Sequence, residues 1–121
     1  MLTNAVFVLI GTAVLGTLLA AVRLHGPTRP PIPFVGLLHG ALGATGLILV
    51  LVAPSRASAA QAGVGQFRQI AAVALVLAFL FGLWIFRARV ARRTLSFGVV
   101  GVHALLAVTG VVVLGAYLFA G

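Results

Sequence analysis

Among its 121 residues the chain has no Asp, no Glu, no Cys and no Lys. Each absence closes a class of function. A proton-coupled exporter needs an ionisable acid within the membrane, and none is present. Paired-carboxylate hydrolysis and a Ser-His-Asp relay are excluded for the same reason, and hard cations lose their usual anionic oxygens. Without cysteine there is no disulfide, thiolate metal site or thiol nucleophile. Charged residues reach only 7%, against about 25% in a soluble domain.

What is there is apolar: 63% of the residues are hydrophobic. All charged side chains are arginine, giving a net charge of +8. Basic loops between membrane helices account for that balance, so no nucleic acid is expected as a partner. The expected fold class is an all-α membrane protein, a four-transmembrane-helix bundle forming one domain over residues 1–121 in a lipid bilayer.

The spans are expected at about 2–22, 34–53, 67–86 and 95–119. A proline-rich link beginning at Arg23, a small-residue loop from Ser55 to Gly65 and a basic turn from Arg87 to Arg93 separate them. The first segment reads as a span and not a signal peptide, because no basic residue precedes it and no small-x-small cleavage site follows. Links one and three hold Arg23, Arg29, Arg87, Arg89, Arg92 and Arg93, and the middle link holds Arg56 and Arg68. The positive-inside rule then expects a plasma (inner) membrane protein with arginine-rich links cytoplasmic and both termini outside. Trp84 and Tyr117 suit an interfacial belt. Arg56 and Arg68 read as ordinary loop charges, and His25 as a solvated residue of the first link.

His39 and His103 stand 64 residues apart, and each opens the phrase His-x5-Thr-Gly inside an apolar segment. The same shift places Arg23 on Arg87, Val35 on Val99, Leu42 on Leu106, Thr45 on Thr109 and Gly46 on Gly110, whereas spans one and three match only in general hydrophobicity. These identities suggest two tandem helical hairpins, about 1–54 and 67–121, related by a parallel pseudo-two-fold along the membrane normal.

A histidine at membrane depth is costly and rarely idle. Two on parallel helices, facing each other across a pseudo-two-fold, would supply axial nitrogens to one iron, and the expected cofactor is one b-type haem per chain. His39 and His103 are therefore both the metal ligands and the centre of the cofactor site. Positions i+4 and i+7 share a helix face with i: Gly43 and Gly46 for His39, Ala107 and Gly110 for His103. That groove of small residues would admit a porphyrin edge. Its propionates would turn to Arg23 and Arg87, with Arg29 and Arg93 in reserve, since arginine pairs bidentately with carboxylates. The second imidazole nitrogens need acceptors, expected one turn earlier at the carbonyls of Val35 and Val99. Thr45 and Thr109 could bond within their own helix or to a neighbour. A neutral pocket beside arginines favours the ferrous state, so no unusually low potential is expected. The bland alternative is that Gly36-x3-Gly40 and the other small residues form helix contacts, with the histidines hydrogen-bonded across helices and no cofactor.

The paired histidines, small residues and flanking arginines resemble the small four-helix membrane b-type cytochromes, which include cytochrome b561-like proteins and haem-bearing anchor subunits of respiratory enzymes. The resemblance covers spans two and four and departs from two-haem members in offering one histidine pair. It implies an electron-transfer subunit with no independent catalysis, exchanging electrons with quinone or a partner redox subunit, or acting as a homodimer. Quinone is a second candidate ligand. The rival functions are a small four-helix transporter or channel, and a structural subunit of a larger membrane complex.

Overall fold

The computed structural model describes residues 1–25, 33–54 and 62–120. It contains four helices, α1 (Leu2–His25), α2 (Pro33–Val52), α3 (Ala62–Val90) and α4 (Phe97–Ala120), each long and apolar enough to cross a membrane. Large apolar side chains such as Phe7, Leu18, Ile48, Leu77 and Val112 cover the outside, as expected where lipid replaces water.

Each helix packs against two others: α1 with α2 and α4, α3 with α4 and α2. Among the described residues α1 and α3 are thus diagonal, as are α2 and α4, which carry the histidines. Lipid tails are as apolar as leucine, so helix association here depends on close packing more than on burial. Ala5, Val50, Ala71 and Leu114 are fully buried. At two points a leucine fills the space above a glycine: a Cβ on Gly46 would lie 2.7 Å from Leu9 Cδ2, and one on Gly110 2.6 Å from Leu75 Cγ. Tyr117, in the last turn of α4, packs into this core and is buried. Trp84 is exposed.

The helix ends differ from the hydropathy boundaries, because hydropathy marks the apolar window and not the limit of helical hydrogen bonding. Helix α1 carries Arg23 within its last turn, and α3 continues through Arg87 and Arg89, which the sequence suggested were loop residues. At 29 residues and ~1.5 Å per residue, α3 is roughly 43 Å long, longer than a hydrocarbon core of about 30 Å. Its end is a Schellman turn: Arg93 N–H donates to Ala88 O at 2.8 Å and Arg92 N–H to Arg89 O at 2.9 Å. Arg92 has φ 54°, in the left-handed region where glycine is favoured and a side chain is strained.

Arg68 also departs from its expected role as a loop charge. It lies in α3, and its Nη2 donates to Val50 O at 3.1 Å and Ala53 O at 2.6 Å. The Val50 carbonyl would normally accept the N–H of residue 54, but that residue is proline and has none. Arg68 supplies the missing donor and a positive charge at the negative end of the α2 dipole. Arg29 and Arg56 lie outside the described residues.

Two substitutions test these ends by thermal unfolding in detergent. Arg92→Gly is expected to raise the Tm, relieving about 1 kcal/mol of left-handed strain. Arg68→Met should lower it by the equivalent of about 1–3 kcal/mol, leaving the α2 carbonyls unsatisfied.

Candidate functional site

The two histidines lie at the same depth. His39 is six residues beyond the start of α2 and His103 six beyond the start of α4, roughly 9 Å along each axis. Their ring centroids are 6.0 Å apart with planes inclined at 73°. Both rings are half-buried.

Each ring is pinned by a neighbouring helix. His39 Nδ1–H donates to Thr12 O on α1 at 3.0 Å, and His103 Nδ1–H donates to Ala78 O on α3 at 2.8 Å. A carbonyl can only accept, so each Nδ1 carries the proton and, in the neutral imidazole, Nε2 keeps its lone pair. These acceptors correct the expectation of Val35 and Val99. The physical reason is steric: every carbonyl within a helix already accepts one N–H, and the Thr12 and Ala78 oxygens keep a second lone pair accessible to a neighbouring helix because Gly16 and Gly82 carry no side chain over them.

The adjacent helices can take these bonds because of two glycines. Gly16 is one turn beyond Thr12, and Gly82 one turn beyond Ala78. A helical side chain leans over the turn before its own Cα, so any side chain at position 16 or 82 would crowd the carbonyl four residues earlier. A Cβ on Gly16 would lie 2.8 Å from His39 Cε1, and one on Gly82 3.0 Å from His103 Cε1. Thr12 and Ala78, Gly16 and Gly82, and Leu9 and Leu75 are related by a shift of 66 residues. These partners were missed in the sequence, where spans one and three were compared at the 64-residue spacing of the histidines. Tried at 66, Ala5, Leu9, Gly16 and Arg23 fall on Ala71, Leu75, Gly82 and Arg89.

A cavity of about 300 Å³ includes both histidines. Most of its wall comes from α2 and α3, with Gly36, Gly40 and Gly43 on one side and Phe79, Leu83 and Phe86 on the other. Gly43 and Ala107 line it as their helical spacing suggested, but Gly46 and Gly110 do not, since Leu9 and Leu75 occupy the space over them. The small-residue groove is therefore one turn shorter than expected. Thr45 Oγ1 donates to Ala41 O within its own helix at 2.9 Å.

The arginines separate. Arg23 Nη2 donates to Leu95 O at 3.1 Å, and its guanidinium sits 5.4 Å from the Phe97 ring centre, which joins the end of α1 to the start of α4. None of Arg23, Arg87 and Arg93 lines the histidine cavity; Arg87 and Arg93 share a separate groove on α3.

Compared with known proteins, the chain matches no family model, no curated protein and no solved structure. The chemistry must be read from the donors. Among the described residues no three His, Cys, Asp or Glu come together. A metal at this pair would have two protein ligands, which suits an ion whose other positions are already filled by a macrocycle. Two imidazoles on opposite sides of one metal, at bonds of about 2.0–2.1 Å, would have ring centres a little over ~6 Å apart; the observed 6.0 Å also matches a direct edge contact between the rings.

The glycine contacts can be tested directly. Gly16→Ala is expected to cost about 1–3 kcal/mol by overpacking and to shift the His39 imidazole ¹⁵N signals as the ring leaves Thr12 O. Gly82→Ala should cost less. Gly11→Ala, where nothing lies within 4 Å of the added carbon, should leave both signals in place; an equal response there would remove the basis for pinning.

Proposed function

We propose that this chain is a membrane b-type cytochrome, an electron-transfer subunit in which His39 and His103 ligate one haem b. The observation supporting this most strongly is the pair of locked imidazoles: both Nδ1–H groups are committed to backbone carbonyls, which leaves the lone pair of each neutral ring on Nε2, and the rings are 6.0 Å apart. A carbonyl acceptor fixes a ligand histidine's orientation and raises its basicity. When bound, the haem supplies a one-electron ferric/ferrous couple.

The protein's part is to hold, orient and exclude. Thr12 and Ala78 fix the imidazoles from α1 and α3, while Gly43 and Ala107 leave clearance on the histidine helices. Phe79, Leu83 and Phe86 keep the α2–α3 side apolar. Arg23 is the preferred partner for a propionate, because a guanidinium has further N–H groups besides the one on Leu95. Arg29 is the reserve.

The reading includes a pseudo-two-fold between hairpins 1–54 and 67–121, supported by the matching contacts of Leu9 and Leu75, Thr12 and Ala78, and the two histidines. It places the Arg23 and Arg87–Arg93 end in the cytoplasm and both termini outside an inner membrane. Electron exchange with quinone or a partner redox subunit, or between two copies of the chain, completes the assignment. In the rival reading, a structural subunit or small transporter, the same ring-to-ring contact is a metal-free latch between α2 and α4.

The discriminating measurement is a reduced-minus-oxidised absorption spectrum of detergent-purified protein supplied with haem, with a pyridine haemochrome assay for stoichiometry. A sharp b-type α-band at one haem per chain is expected, lost in either His39→Leu or His103→Leu. A featureless spectrum from folded protein would favour the latch.

A further inference from the structure

Every arginine here must find its counter-charge outside the chain, because the chain contains no acid. Arg23 and Arg68 are partly compensated by backbone carbonyls. Arg87 and Arg93 have no hydrogen-bond acceptor for their guanidinium groups among the described residues, and both are exposed. They are also brought together. The left-handed turn at Arg92 folds the chain back so that Arg93 N–H bonds to Ala88 O, which sets Arg93 beside the last turn of α3.

Arg87 and Arg93 head a groove of about 510 Å³ whose remaining wall is Leu80, Leu83, Trp84, Ala88 and Ala91. The groove has the polarity of a phospholipid. Its basic head lies where α3 ends, and its apolar floor runs one to two turns back along the helix. Trp84 stands between the two, exposed and in tilted contact with Phe81, with ring centres 5.9 Å apart and planes inclined at 50°. Tryptophan favours the headgroup level of a bilayer, arginine pairs bidentately with phosphate, and basic clusters at a membrane surface attract anionic lipids.

This groove is separate from the histidine cavity. Successive helical residues are about 100° apart, so Arg87 projects from a different face of α3 than Phe86, which lines the cavity. Leu83 alone borders both.

We infer that the Trp84–Arg87–Arg93 groove is a binding site for one anionic phospholipid, its phosphate held by Arg87 and Arg93 and its acyl chain lying along Leu80, Leu83 and Trp84. The site does not depend on the histidines or on any cofactor. It gives this end of α3 a fixed lipid neighbour and compensates the charge that the Schellman turn concentrates there.

Trp84 is the only tryptophan, so its fluorescence reports on this groove alone. The full chain would be reconstituted in phosphatidylcholine vesicles containing a minor fraction of bromine-labelled lipid, either phosphatidylglycerol or phosphatidylcholine. Quenching is expected to be several-fold stronger for labelled phosphatidylglycerol. The preference should fall to near parity in Arg87→Gln with Arg93→Gln, and persist in Arg89→Gln, which removes charge from the same helix end outside the groove. Inorganic phosphate at millimolar concentration should not displace the lipid, because it offers nothing to the apolar floor. Equal quenching by the two lipids in the unmodified chain would overturn the site. Equal loss in Arg89→Gln would reduce it to general charge attraction, and full reversal by free phosphate would make it an inorganic anion site. Native mass spectrometry of the same variants provides a second readout, in which a retained phosphatidylglycerol adduct is expected for the unmodified chain and Arg89→Gln only.

Discussion

The hydrogen bond from each histidine to a carbonyl on the next helix is the contact on which the rest of the arrangement depends. In a chain without carboxylates the only abundant acceptors inside a membrane are backbone carbonyls, and each of these already serves a helical N–H. A carbonyl oxygen has a second lone pair, but in a helix the side chain one turn later normally crowds it. Gly16 and Gly82 leave the Thr12 and Ala78 oxygens open, and the imidazoles close over the glycine Cα atoms. The bond therefore sets four things together: the closeness of α1 to α2 and α3 to α4, the histidine tautomer, the ring orientation, and the availability of Nε2.

The remaining contacts follow the same economy. Leu9 over Gly46 and Leu75 over Gly110 close the helix pairs two turns further along, so each hairpin is held once by a polar contact and once by an apolar one. The arginines repeat the carbonyl solution at the ends. Arg68 takes the Val50 oxygen that Pro54 cannot serve, and Arg23 takes Leu95 O at the start of α4. Where no carbonyl is offered, at Arg87 and Arg93, the charge faces outward beside Trp84, and the bilayer becomes the natural source of an anion.

Much of this was legible in residues whose cost forces a use. The four spans could be read from hydropathy, and the two histidines from their rarity at depth. Gly43 and Ala107 were found because i+4 shares a face with i. The same rule failed one turn further on, at Gly46 and Gly110, since periodicity tells which face a glycine occupies but not whether a leucine from another helix fills it. The acceptors at Thr12 and Ala78 were missed because they are backbone atoms, which no residue type announces. Gly16 and Gly82 were the readable signal, hidden by comparing spans one and three at the histidine spacing when the contacts relate residues 66 apart.

The sequence by itself determined that this chain is built from membrane helices, that no carboxylate can serve a polar contact inside it, and that its charge must be met from outside. Those conclusions come from composition, which no folding can alter. Only the tertiary structure decided which helices lie diagonally, which carbonyl each imidazole takes, and how the arginines divide between structural contacts and an open groove. These depend on where one helix meets another to within an ångström, and in a lipid-like surround that register is set by steric fit between side chains distant in sequence.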